Sequence, residues 1–231
     1  MKSLYLWLNI CSIAIPFIYS FHPKLKLYKQ FHWIFLSIFI TMLVFIPWDI
    51  IFTVQGVWGF NNNYYLGAHI FELPIEEWLF FICIPYACIF THYALKHYFP
   101  KIKLSEVHTK NISYILILTL FSLILFNYNK LYTTVNFTLA IILTIIVLKI
   151  NRKLLQQFYL SFIVILLPFF IVNGILTGSW IENQIVWYDN SENLGIRMGT
   201  IPAEDTIYAY SMILMNLSLY ECFTKKYKNG I

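Results

Sequence analysis

Seven stretches of mostly apolar residues divide this 231-residue chain, each near the length that crosses a bilayer. A crossing helix takes roughly 20 such residues. The stretches are Leu4–Phe21, Phe31–Thr53, Pro74–Leu95, Ile112–Tyr128, Tyr132–Leu148, Leu154–Thr177 and Pro202–Cys222. A water-soluble alternative fails on charge. Only 12% of the residues are charged, against about 25% in ordinary soluble domains, too few to cover a globule of this length. Disorder fails for the opposite reason, since 59% are hydrophobic. The expected fold is an all-α integral membrane protein with seven transmembrane helices. The fourth stretch is the weakest, with a short apolar run ending in Asn127, Asn129 and Lys130. The first has Lys2 and an apolar core like a signal peptide, but no small-x-small cleavage pattern follows, so it reads as a span.

The basic residues give an orientation. The loops after spans 1, 3 and 5 and the C-terminal tail carry 13 of the 16 Lys and Arg residues. Lys24, Lys26 and Lys29 lie in the first of these loops, and Lys225, Lys226 and Lys228 in the tail. The remaining three are Lys2, Lys130 and Arg197. Cytoplasmic loops are rich in Lys and Arg. The expectation is therefore a multi-pass protein of the cell (inner) membrane, N-terminus outside and C-terminus cytoplasmic. The net charge of +5 is read this way rather than as a nucleic-acid surface, since no basic run with interleaved aromatics is present. The four cysteines form no CxxC pair and sit in apolar segments, so neither a disulfide framework nor a zinc site is expected.

The two long loops that fall outside, roughly 54–73 and 178–201, end in similar phrases. GAHIFELPIEEWLFF runs from Gly67 and GIRMGTIPAEDTIYA from Gly195. A shift of 128 residues places Gly67 on Gly195, Pro74 on Pro202, Glu76 on Glu204, Glu77 on Asp205 and Phe60 on Tyr188. Upstream, the segment from Asp49 to Thr53 matches that from Asn173 to Thr177 at a different offset, because the second loop is longer. The chain reads as a duplicated three-span unit. Spans 1–3 match spans 5–7, both copies run in the same direction, and span 4 connects them.

Pro74 and Pro202 suit the opening turn of a helix, where a missing N–H is harmless. Glu76, Glu77, Glu204 and Asp205 follow them into the first turn. One reading is ordinary N-terminal acids favoured by the helix dipole. The other is functional, because acids in membrane helices usually face a protein interior or a watery cavity. The recurrence of the Pro-x-acid-acid pattern at matching places favours the second reading. Neighbouring helix positions point about 100° apart, so one acid of each pair can face a shared centre. The expectation is the first of each, Glu76 and Glu204, with Glu77 and Asp205 in support. Aromatic residues crowd the same regions, among them Trp48, Phe52, Trp58, Trp78 and Phe80 in one copy and Trp187 and Tyr208 in the other. They suit an interfacial belt equally with a surface that stabilises a carbocation or packs a polyene. The six histidines lack the three- or four-residue spacing of a metal cluster within spans, and no glycine-rich phosphate or dinucleotide loop appears. Neither a metal nor a redox cofactor is expected.

The doubled phrases from Pro74 to Glu77 and from Pro202 to Asp205, each opening a span after a long loop, resemble those of the integral-membrane lycopene cyclases in their fused two-domain form. The resemblance covers nearly the whole chain. It implies a first repeat over residues 1–100, a linker and connecting span over 101–131 and a second repeat over 132–231. It implies a lycopene beta-cyclase, an intramolecular lyase or isomerase without net redox change or cofactor. A protein acid would protonate the terminal double bond of lycopene or another linear carotenoid, the neighbouring double bond would close the ring, and a ring proton would leave. Glu76 and Glu204 would be the acid and base candidates. Glu77 and Asp205 match the family's second acidic position, and Asp49 matches a polar position of its first domain. The partners implied are the carotenoid and the lipid bilayer, with no nucleic acid and with room for contact to other enzymes of carotenoid synthesis. The competing reading is a proton-coupled transporter or channel built from duplicated halves. It would predict polar residues lining a path through several spans.

Overall fold

The computed structural model describes residues 2–229, and the side chains of Lys226 and Lys228, used above for orientation, lie outside the described residues. Seven α-helices dominate: α1 (Leu4–Tyr19), α2 (Phe31–Gln55), α3 (Ile75–Tyr98), α4 (Glu106–Phe126), α5 (Leu131–Ile150), α6 (Arg152–Leu176) and α7 (Ala203–Asn229). Five of them, α2 to α6, are long and apolar enough to cross a membrane. Helix α1 has 16 residues and is shorter than that measure, while α7 carries Ser211, Asn216, Ser218 and Glu221 along its length. The helices fall close to the expected spans. Among the helix starts the largest difference is α4, which begins six residues before Ile112. The side chain of Ser105 caps it by accepting the backbone N–H of His108 at 3.1 Å, and this offsets the polar opening turn.

Outward faces of α2 and α6 are apolar and exposed, with Phe39, Leu43 and Ile51 on one and Ile163, Leu167 and Ile171 on the other. Such a surface suits hydrocarbon rather than water. The acid-bearing helices are central. Helix α3 packs against α1, α2, α6 and α7, and α7 packs against α2, α3, α5 and α6. At the end away from the acids, Glu221 accepts from Lys96 (3.1 Å) and Asn151 (2.7 Å) and pairs with Lys225 (3.1 Å).

At the acidic end the loops form three short antiparallel ribbons. Strands β2 (His69–Ile70) and β3 (Leu73–Pro74) make one hairpin, and β5 (Arg197–Met198) and β6 (Ile201–Pro202) make another. The third ribbon joins the two long loops, pairing β1 (Trp58–Phe60) with β4 (Val186–Tyr188). Trp58 stands opposite Tyr188, Gly59 opposite Trp187 and Phe60 opposite Val186. A shift of 128 residues carries each β1 residue onto its β4 equivalent, so exchanging the two loops maps this pairing onto itself. Gly59 sits at its centre. A Cβ there would lie 2.6 Å from Cε2 of the Trp187 indole and overlap the ring. Gly59→Ala is therefore expected to destabilise the protein by about 1–3 kcal/mol, the usual cost of overpacking. Thermal unfolding in detergent measures this, and an unchanged midpoint would show that the ribbon yields freely.

A buried acid cavity at the paired helix starts

Each acidic phrase is built the same way. Pro74 ends β3 in extended conformation (ψ 145°) and caps α3. The N–H of Ile75 then donates to Ala68 O, and that of Ala203 to Ile196 O, both at 2.9 Å. These bonds fold each hairpin back over its helix start. The first acid of each pair closes the fold. Glu76 Oε1 accepts the backbone N–H of Leu66 at 2.8 Å, and Glu204 Oε1 accepts that of Leu194 at 2.6 Å. Thr133 also donates to Glu204 Oε1, at 2.6 Å. Asn9 of α1 and Asn136 of α5 donate to the backbone carbonyls of Glu76 and Glu204 at 2.8 and 2.7 Å. Both glutamates are fully buried, and one oxygen of each has no partner among the described residues.

The second acid of each pair points elsewhere. Glu77 and Asp205 line a cavity of about 80 Å³ together with Asp49 from α2 and Asn173 from α6. The expectation that Glu76 and Glu204 face the shared centre is therefore corrected: they hold the loops, and their neighbours meet the cavity. The roughly 100° between adjacent helix positions decides this. Once the first acid turns back to receive a loop N–H, the second faces inward.

The two sides of the cavity differ in their donors. Asp205 accepts three hydrogen bonds, from Tyr132 OH (2.6 Å), Asn173 Nδ2 (2.8 Å) and Tyr188 OH (2.9 Å). Glu77 accepts one, a short bond from Tyr5 OH. The equivalent of Tyr188 on that side is Phe60, which has no hydroxyl, and the equivalent of Asn173 is Asp49, which is itself an acid. Asp49 Oδ1 accepts Trp58 Nε1 at 2.7 Å, and its Oδ2 is buried without a partner among the described residues. Among the described residues, no Lys, Arg or His lines the cavity. Its walls are aromatic and aliphatic, with Trp58, Phe60, Phe80, Tyr208 and Met212 among them.

The expected aromatic residues are divided by the fold. Trp58, Phe80 and Tyr208 reach the cavity. Trp48 and Phe52 form the layer behind, with ring centroids 5.1 Å from Tyr208 and 4.9 Å from Trp58 respectively. Two expected binding residues lie away from it. Trp78 donates its indole N–H to Ile70 O at 3.1 Å in the β2–β3 hairpin, and Trp187 covers Gly59 on the outer ribbon. Their positions follow from helix and strand alternation, which turns Trp78 and Trp187 away from Glu77 and Tyr188.

The sequence reading missed Tyr5 and Tyr132, the first donors to the inner acids, and Asn9 and Asn136, which brace the outer ones. A signal was present. Tyr-x-x-x-Asn opens both α1 and α5 at a shift of 127 residues, and one helical turn brings both residues onto the same acidic helix start. A bundle of apolar helices enclosing carboxylic acids and aromatic rings, with no cation lining the cavity among the described residues, defines a membrane-type helical protein. The lycopene cyclase family model matches residues 2–95 and 129–223. The chain belongs to that family, whose members are carotenoid cyclases. Comparison with curated proteins and with solved structures gave no match.

Proposed function

We propose that this chain is a lycopene beta-cyclase and that Glu77 and Asp205 carry the proton transfers, with Asp49 beside Glu77. The observation behind this is the cavity itself: three acids from three helices, no basic side chain among the described residues and a wall of aromatic rings, in a chain of the cyclase family. Burying an unpaired carboxylate costs far more than burying the neutral acid, so a cavity poor in donors suits an acid that carries its proton. Glu77, with one donor and Asp49 beside it, is assigned as the acid. Asp205, with three donors, is assigned as the carboxylate, since hydrogen bonds to the anion favour it.

The steps balance. The carboxyl proton of Glu77 passes to the terminal double bond of the polyene, leaving a tertiary cation. The neighbouring double bond attacks it, closing a six-membered ring and moving the charge into that ring. A ring C–H bond then breaks, its proton goes to Asp205, and its electrons form the new double bond of a β-ionone ring. One proton enters and one leaves, so the product is an isomer and no redox cofactor is required. Trp58, Tyr208 and Tyr132 offer faces to the cation, and the apolar walls keep water from quenching it. Glu76 and Glu204 act as positioning residues, holding the loops that roof the cavity. Asn9 and Asn136 brace the same turns.

The architecture proposed with this activity has seven spans in two parallel three-helix repeats, residues 1–100 and 132–231, joined by a connecting segment over 101–131. The N-terminus is outside and the C-terminus cytoplasmic in the inner membrane. The matched bonds made by Asn9 and Asn136, and by Glu76 and Glu204, support the repeat. Expression in lycopene-accumulating cells tests the activity. Pigment chromatography should show conversion to a carotenoid with one or two β-rings. Unchanged lycopene, with the protein present in the membrane fraction, would refute it.

A further inference from the structure

A second cavity, of about 410 Å³, lies between α1, α3 and α6, where Ile15 and Ile171 are exposed. It is almost wholly apolar and includes Cys11, Ile15, Ala87 and Pro168. Five residues, Phe80, Ile84, Phe169, Asn173 and Ala209, line both this groove and the acid cavity, so the two lie side by side against a shared wall.

The matched position in the other half lies between α5, α7 and α2. The register of α2 on α6 is set by the bonds Val57 N–H to Phe52 O (2.9 Å) and Ile185 N–H to Leu176 O (2.8 Å), which place Phe52 on Leu176. By that register Val172 of the groove corresponds to Trp48. By the shift of 128, Ala87 corresponds to Met215 and Phe80 to Tyr208. Larger side chains therefore fill the equivalent space. Trp48, Phe45 and Tyr208 close it with mutual ring-centroid distances of 5.1 to 5.6 Å, and Trp48 is buried.

We propose that the α1–α3–α6 groove is the lateral portal through which a linear polyene reaches the acids, and that only one end of the chain can be engaged at a time. This rests on the cyclase reading above. The acid cavity supports the single-end limit. At about 80 Å³ it is smaller than the roughly 150 Å³ cavity that takes one benzene ring, so two chain ends cannot share it. With the matched opening stoppered, the rest of the polyene lies back along the groove. A second ring then requires the one-ringed product to leave, turn round and return.

Two measurements test this. The first is lycopene retained by the purified protein, which does not depend on turnover. Ala87→Trp fills the groove and should lower retention about tenfold, since overfilled sites lose that order of affinity. Leu118→Trp adds the same bulk on the lipid-facing side of α4 and should not change it. Equal retention by a folded Ala87→Trp protein overturns the portal. The second is a pulse of isotope-labelled lycopene in vesicles, chased with excess unlabelled lycopene after one ring has formed. Loss of labelled two-ringed product, or arrest at one ring, is expected. Labelled two-ringed product that persists undiminished through the chase overturns single-end engagement. Wild-type protein that retains lycopene through the groove but never cyclises it would refute the cyclase assignment while leaving the portal intact.

Discussion

Glu77→Gln and Asp205→Asn should each cut lycopene conversion by about 10²–10⁴-fold, the range typical of a lost general acid or base. Both substitutions preserve shape. Gln at position 77 keeps an oxygen for the Tyr5 hydroxyl, and Asn at position 205 keeps one for Tyr132, so the protein should accumulate in the membrane as before. What disappears is the carboxyl that exchanges a proton with the polyene. Asp205→Asn also replaces an acceptor of Asn173 and Tyr188 with an amide nitrogen that only donates. That substitution should lower thermal stability slightly as well as turnover. Pigment chromatography, normalised to protein in the membrane fraction, is the measurement. Wild-type conversion by either variant would remove that residue from the proton path.

The outer acids should behave differently. Glu204→Ala leaves two buried donors, the Leu194 N–H and the Thr133 hydroxyl, without an acceptor. Each orphaned donor costs about 1–3 kcal/mol, so a total loss of roughly 2–6 kcal/mol is expected. Glu76→Ala orphans one donor, Leu66 N–H, and should cost about half as much. Glu204→Gln and Glu76→Gln retain an oxygen acceptor and should keep both the unfolding temperature and most of the conversion rate. The split between Ala and Gln variants distinguishes a loop clamp from a proton donor. If the Gln variants lose conversion as fully as Glu77→Gln while staying folded, the outer acids belong to the chemistry.

Local rules made much of this protein legible in advance. The apolar blocks locate the helices because hydrocarbon leaves backbone groups no partner except each other. The starts of α3 and α7 are readable because Pro74 and Pro202 end extended strands, and acids favour the turn that follows. The match between Glu77 and Asp205 needs only a fixed shift along the chain. The start of α4 was less legible, because its first turn is polar and depends on the Ser105 cap rather than on apolar length.

Long-range neighbours were not legible. Nothing near Glu77 in the sequence announces Tyr5, 72 residues away, and nothing near Asp205 announces Tyr132, 73 residues away. The aromatic set was visible as a composition, but its division was not. Trp58 and Tyr208 face the cavity, while Trp78 and Trp187 serve the outer ribbons. A strand or helix start sends successive side chains in different directions, and only packing against other elements selects which direction is inside.

The amino-acid order by itself determined the helices, the doubled acidic helix starts and the family resemblance, since each depends on apolar length, on proline and on residues a few positions apart. The tertiary structure alone decided that the second acid of each pair lines the cavity, that Asp205 accepts three donors and Glu77 one, and that an apolar groove lies beside them. Those outcomes depend on how α2, α3, α6 and α7 rotate against one another. That rotation is set by contacts between residues far apart in the chain, such as Trp48 with Tyr208 and Asn173 with Asp205.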